Sequence, residues 1–297
     1  MMTDGGSADI PRTIWTLWHQ GLDQAPTLVR RCVDSWRVHN PGWTLDVHDG
    51  NSIKRFVDLD GALGDNRARV THPALSDVVR IELLHEYGGV WVDATCFCCR
   101  PLDHWLPAAA SRGFLAFRDP GPDRPVSTWF LASAAGSPIV TAWRRRVRDY
   151  WSSASFVNQN RLLVKPLALP LEALLQRSPH RSTRFERLFR SLTRLRVYPY
   201  YWFHYLFARM IQEEPETAAA WDEVPAFNAD VPHRVQHHGI FRPPSANLRE
   251  EIDRREAPFY KLTWKIDEAR VPLDCAQEYL LASLPDGPEA AEERPEP

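Results

Sequence analysis

The stretch THPALSDVVRIELLHEYGGVWVDATC, residues 71–96, limits the fold of this chain more than any other. Pro73 suits the first turn of a helix, and Gly88-Gly89 suit its end, where glycine accepts the backbone that closes the last turn. Val90 to Asp93 then reads as a short buried strand. The strand ends on an acid, Asp93, with Thr95 two places later. A carboxylate in that position is costly unless it meets a partner or a ligand.

The first half of the chain repeats this alternation. Ile14 to Trp18 reads as a strand, and Pro26 opens a helix with Leu28, Val29, Cys32, Val33 and Trp36 on one face. Asn40-Pro41-Gly42 stops that helix, and Thr44 to Val47 forms the next strand. Phe114–Phe117 and Trp129–Ala132 read as strands, and Pro138–Tyr150 as a helix. Strands alternating with helices predict an α/β sheet of mostly parallel strands flanked by helices. Ligands of such sheets sit beyond the carboxyl ends of the strands, where Asp93 lies.

Residues 1–9 and the acidic, proline-rich 285–297 are expected to be disordered, leaving a single domain over 10–284. Within it, about 155–225 reads as a helical lobe. In that lobe 184–195 carries Phe185, Leu188, Phe189, Leu192 and Leu195 on one helical stripe, with arginines elsewhere. Such a stripe is expected to face a core. The competing reading sets 184–207, with its run YPYYWFHYLF, on an anionic membrane as a peripheral contact at the inner face.

A net charge of −2 and a pI near 6.6 argue against a nucleic-acid partner. No run reaches the roughly 18 apolar residues of a membrane span. The N-terminal MMTDGGSADIPR has no charged start before an apolar run, so a cytoplasmic protein without a signal peptide is expected. Five cysteines (Cys32, Cys96, Cys98, Cys99, Cys275) are an odd number, which fits reduced thiols better than a disulfide framework. The CFCC run at 96–99 lacks the paired spacing of a zinc site, so buried structural thiols are expected.

Several residues could carry chemistry. Asp77 and Arg80 are three apart on one helix and share a face, either as an intrahelical ion pair or as a binder of hydroxyl- and phosphate-bearing ligands. His237-His238-Gly239 offers an imidazole to a metal or a hydrogen-bonded loop pair. Lys261 and Lys265 flank Trp264, as cations for a diphosphate or as solvated strand charges. Trp129, in STWF at 127–130, could stack on a sugar ring or fill the core.

The motif Ser76-Asp77-x-x-Arg80 followed by Tyr87-Gly88-Gly89-Val90-Trp91-Val92-Asp93 resembles the sugar-binding region of DXD-type glycosyltransferases, in particular their capsular polysaccharide synthesis branch. The segments IWTLWHQG (14–21), APTLVRRCVDSW (25–36), HNPGW (39–43) and YKLTWK (260–265) resemble the same branch. The likeness is dense over 11–106 and patchy beyond. It implies a GT-A-like, Rossmann-type fold that binds a nucleotide sugar, here expected to be UDP-linked. By that resemblance Trp18 packs on the nucleobase, Asp77 and Arg80 contact the donor sugar, and Trp91 precedes the acid motif. Asp93 matches the first motif acid, near ribose and the metal, and the catalytic set is then Asp77, Arg80 and Asp93.

The second acid of the motif is absent, and Thr95 stands in its place. Threonine is a neutral and weaker ligand, yet Mg²⁺ accepts one carboxylate with substrate phosphates and water, and Mn²⁺ adds imidazole. The expected metal set is therefore Asp93, Thr95 and His238 around Mn²⁺ or Mg²⁺. Lys261, Trp264 and Lys265 are expected over the diphosphate, and Trp129 on the acceptor side. The implied activity is transfer of a sugar, with retention, to a glycan or another hydroxylated small molecule. The alternative is a non-catalytic relative that binds nucleotide sugar or glycan through a degenerate metal site.

Overall fold

The computed structural model describes residues 9–158, 165–266 and 268–284. Apart from Asp9, the segments expected to be disordered lie outside the described residues. The strands are β1 (Thr13–Leu17), β2 (Thr44–His48), β3 (Gly89–Val92), β4 (Cys96–Cys98), β5 (Phe114–Gly121), β6 (Arg124–Ser133), β7 (Phe227–Asn228) and β8 (Phe259–Lys261). The chain forms two compact units that alternate along the sequence. The first comprises Met1–Pro11, Gly50–Trp91 and Ala110–Asn228, and the second Arg12–Asp49, Val92–Ala109 and Ala229–Pro297.

In the first unit, Thr71 caps the helix His72–Glu86 by accepting a hydrogen bond from the Ala74 amide. Gly88 and Gly89 follow at φ of 66° and 97°. A Cβ on Gly88 would lie 2.7 Å from the Ala135 nitrogen and 2.9 Å from the Ser133 carbonyl oxygen. Only glycine supplies both the left-handed backbone and the close approach. The strands follow in the order β3, β6, β5, β7, with β5 antiparallel to β6 and parallel to β7. The helix Trp202–Glu213 packs on β6, and Pro138–Ser153 packs against both that helix and His72–Glu86.

The lobe stretch holds the helices Lys165–Gln176, Thr183–Arg194, Trp202–Glu213 and Pro215–Asp222. Phe185, Phe189 and Leu192 of the amphipathic stripe are buried, as are Tyr198, Trp202 and Tyr205 in the run that follows. Tyr205 meets Phe185 and Phe189 edge to face at centroid distances of 5.0 and 5.8 Å. Three of the five stripe residues are thus packed inside the protein, while Leu195 at its end is 61% exposed. Among the described residues no helix is long and apolar enough to cross a membrane.

In the second unit, β1 and β2 run parallel from Thr13 opposite Thr44 to Leu17 opposite His48. The helix Thr27–His39 connects them and buries Leu28, Val29, Cys32, Val33 and Trp36, the face its spacing predicts. Trp36 Nε1 donates to the Cys96 carbonyl at 2.7 Å, which ties this helix to β4. β4 pairs antiparallel with β8, and the helix Asp230–His238 packs on β8. His237 and His238, read as a loop pair, instead form the last turn of that helix, with Gly239 at φ 104° closing it. All five cysteines are buried, and none of them is in a disulfide. Burial pushes Cys32 and Cys98 up to about 12, so they are neutral packing groups rather than nucleophiles or ligands. The fold class is mixed α/β, with a mostly parallel sheet flanked by helices.

Candidate functional site

Asp93 follows β3 directly and opens a tight turn in the second unit. The Cys96 amide donates to the Asp93 carbonyl at 2.8 Å, so Asp93, Ala94, Thr95 and Cys96 make one β-turn. β8 runs alongside, with Lys261 opposite Cys96 and the Leu262 amide donating to the Thr95 carbonyl at 2.8 Å. This register brings the Lys261 ammonium to the turn. It donates to Thr95 Oγ1 and to the Leu262 carbonyl at 3.3 Å, and faces Asp93 Oδ2 at 3.5 Å. Gln236 Nε2, from the helix Asp230–His238, donates to the Lys261 carbonyl at 2.7 Å and holds the strand from its other side.

The aromatic residues of this unit lie beside the turn. Trp18 directly follows β1, and its amide donates to the His48 carbonyl at 2.9 Å. It packs on a small cluster of Ala25, Val29, Val33 and Ala94, and Ala94 sits between Asp93 and Thr95. Trp264 meets Trp18 edge to face at 5.4 Å and is 46% exposed. The Trp18 Nε1 group is buried and has no hydrogen-bond acceptor among the described residues. The second unit thus gathers Trp18, Asp93, Thr95, Lys261 and Trp264, with Thr95 and Lys261 166 positions apart in the sequence. Lys265 is exposed one residue further on.

These donors do not fit a divalent cation well. Asp93 already faces an ammonium, and the Thr95 hydroxyl accepts from the same ammonium. A divalent ion about 4 Å from Lys261 would meet roughly 8 kcal/mol of repulsion at an effective dielectric of about 20. His238 Nε2 is hydrogen-bonded to the Pro243 carbonyl at 2.9 Å, which leaves only its Nδ1 for a metal. Among the described residues no group of three His, Cys, Asp or Glu side chains is arranged to hold a metal. The expected set of Asp93, Thr95 and His238 is therefore not assembled. The physical reason is that a lysine fills the position beside the threonine.

In the first unit, Arg80 and Asp77 form an ion pair at 2.8 Å with side chains only 5% and 12% exposed. The Arg80 guanidinium stacks over Trp91 at 5.1 Å and over Phe203 at 5.7 Å. Trp91 is fully buried, so its part is to hold Arg80 flat. Trp129 is also a core residue, 7% exposed and packed 5.1 Å from Phe117. It has little face to offer a sugar ring, and the core reading of this tryptophan is the one that holds.

Its neighbour Thr128 points elsewhere, because successive strand residues alternate between faces. Thr128 Oγ1 lies 3.2 Å from His204 Nε2. Burial, then the charges of Arg124 and Arg80, push His204 well below the ordinary histidine value, so its imidazole is neutral. Asp123 is completely buried, accepting from the Tyr205 hydroxyl at 2.6 Å and from Arg124 Nε at 3.1 Å. Arg124 in turn lies 3.7 Å over the Tyr201 ring. This polar group of Asp123, Arg124, Thr128 and His204 is absent from the residues singled out in the sequence. The signal available was a single histidine inside the aromatic run YPYYWFHYLF. A cavity of about 550 Å³ elsewhere in the unit is lined by Arg145, Arg146, Arg190, Arg194 and Arg209. Four of these arginines pair with Glu186, Glu213 or Glu214, a structural network that accounts for most of the charge there.

Residues 5–159, just over half of the chain, match the capsular polysaccharide synthesis protein family. Glycosyltransferase afumC of Aspergillus fumigatus is 30% identical over 171 residues, 48% of this chain and 41% of that protein. The O-glycosyltransferase PaGT of Phomopsis amygdali is 30% identical over 167 residues, 50% of this chain and 40% of that protein. The O-glycosyltransferase braB of Annulohypoxylon truncatum is 27% identical over 165 residues, 49% and 39% of the two chains. The matched part thus spans about two fifths of each of these relatives. A solved structure, PaToxG glycosyltransferase, aligns at 13% identity with a TM-score of 0.39 over 72% of this chain and 79% of that one. The Asp77 and Arg80 pair, Trp91, the Asp93 turn and Trp18 all fall within the matched segment, and this chain belongs to the capsular polysaccharide synthesis protein family.

Proposed function

We propose that this protein is a glycosyltransferase that moves a sugar from a nucleotide donor to a hydroxylated acceptor, with retention of anomeric configuration. The observation that carries the reading is the grouping in the second unit of two tryptophans, a carboxylate and an ammonium around one turn after a strand. An aromatic face suits a nucleobase, a carboxylate suits ribose hydroxyls and an ammonium suits a diphosphate. That the curated relatives are named as glycosyltransferases supports the same class.

In this reading Trp18 and Trp264 take the base, Asp93 the ribose, and Lys261 with Lys265 the diphosphate. The family resemblance assigns Asp77 and Arg80 of the first unit to sugar binding, and Trp91 keeps Arg80 flat. The bond from the anomeric carbon to the diphosphate breaks, and its electron pair leaves on the diphosphate oxygen. Preorganised positive charge at that oxygen lowers the barrier. The acceptor hydroxyl attacks from the same face, and its proton passes to the departing oxygen. A uridine diphosphate sugar is the donor first proposed, and a glycan or small hydroxylated molecule the acceptor.

Calorimetric titration with UDP, GDP, dTDP and CMP tests the nucleotide reading. One of them should bind, and Asp93→Asn should weaken it while the melting temperature holds. Absence of binding by every nucleotide, with and without Mn²⁺, would remove the donor assignment.

A further inference from the structure

We infer that the Lys261 ammonium is the resident cation of the nucleotide site, so that a nucleoside diphosphate binds this chain without a divalent metal. The inference rests on the donor reading above and specifies how that site handles phosphate charge.

Charge balance is the first argument. Two carboxylates and a divalent cation sum to zero, and so do one carboxylate and one ammonium. Thr95 removes one negative charge from the turn, and Lys261 supplies one positive charge in place of two. The local sum is thereby kept in the unliganded site, where adding a divalent ion to the present residues leaves an excess of two positive charges, so the residues alone do not draw a metal in before the diphosphate arrives.

Geometry is the second. An ammonium has three N–H donors. One goes to Thr95 Oγ1, while the Leu262 carbonyl at 3.3 Å and Asp93 Oδ2 at 3.5 Å both stand beyond the usual 2.7–3.2 Å of a hydrogen bond. The donors on these two longer contacts are the ones a diphosphate oxygen can take, with Asp93 retained as an ion-pair neighbour. Lysine binds phosphate in this way, as a compact point charge. The Lys261 side chain is 17% exposed and Asp93 is 28% exposed, so the pair is reachable from solvent without being open to it.

Placement is the third. Three independent backbone ties fix the lysine: the Lys261 register with Cys96, the Leu262 amide on the Thr95 carbonyl, and Gln236 on the Lys261 carbonyl. A long side chain anchored at its base and at its tip loses little further freedom on binding, so its charge is preorganised.

The test is titration calorimetry of the full chain with UDP, repeated with GDP, dTDP and CMP. Each titration is run in EDTA, in Mn²⁺ and in Mg²⁺. The nucleotide that binds should do so with affinities agreeing within about threefold across the three conditions. Lys261→Gln should weaken it by roughly tenfold or more in EDTA, while Lys261→Arg keeps most of the affinity. The double variant Thr95→Asp with Lys261→Gln, which restores the second carboxylate, should bind well only with Mn²⁺. Binding that requires metal, or rises tenfold with it, overturns the inference and leaves the donor reading standing. No binding by any nucleotide in any condition overturns the donor reading, and this inference falls with it. If Lys261→Gln fails to fold, the three conditions on the unaltered chain decide the matter.

Discussion

The Asp77–Arg80 pair allows a substrate role to be separated from a structural one. Both side chains are nearly buried, at 12% and 5% exposure, and they meet at 2.8 Å. Removing one partner of such a pair leaves an uncompensated buried charge and costs about 3–5 kcal/mol. For a chain of this length each kcal/mol moves the melting temperature by about 2 °C, so Arg80→Met should lower it by roughly 6–10 °C. Replacing both ends is far cheaper, because no charge is left behind. The double variant Asp77→Asn with Arg80→Met should therefore melt within about 3 °C of the unaltered protein. Differential scanning calorimetry reads the stability, and release of nucleoside diphosphate from donor reads the function. A substrate role predicts that the double variant regains its fold and stays inactive. Recovery of activity along with stability would refute the reasoning, and so would a single variant that melts like the original.

Two further outcomes follow from other parts of the molecule. Trp18→Ala should weaken nucleotide binding by about 1–3 kcal/mol, the worth of one base–aromatic stack, and unchanged calorimetric affinity in a folded variant would take Trp18 out of the site. Burial, reinforced by the charge of Arg255, lowers His39 to about 4, while the unfolded chain titrates near 6.5. The unfolded state then takes up the proton first, so stability is intact above about pH 6.5 and falls by up to about 3 kcal/mol as pH drops towards 4. His39→Gln should flatten that acid loss in urea titrations run from pH 7 to 4.

What the sequence made legible was local. Pro26, Pro73 and the glycine pair at 88–89 each act within a few residues, and the helices Thr27–His39 and His72–Glu86 start and stop where they dictate. The face of the first helix followed from spacing alone, because burial there repeats with the helical period. The Lys261 contact was not legible as geometry, since it joins residues 166 apart through the pairing of two three-residue strands. The Thr128–His204 contact spans 76 residues and depends on a helix packing over β6. Trp129 was weighed by residue type, whereas its role is set by which face of β6 meets Phe117. Charged side chains whose partners arrive from distant segments carry no periodicity of their own, and these were the contacts that only the folded chain supplied.

The most direct test of the proposed activity is turnover of a donor panel. The purified chain is incubated with UDP-, GDP- and dTDP-linked sugars in the presence and absence of hydroxylated acceptors, and nucleoside diphosphate release is followed by chromatography. A transferase releases diphosphate from one donor, slowly to water and faster with an acceptor, and Asp93→Asn abolishes the release without unfolding the protein. If a donor binds but no diphosphate appears with any acceptor, the protein is a nucleotide-sugar binder and the catalytic assignment is contradicted.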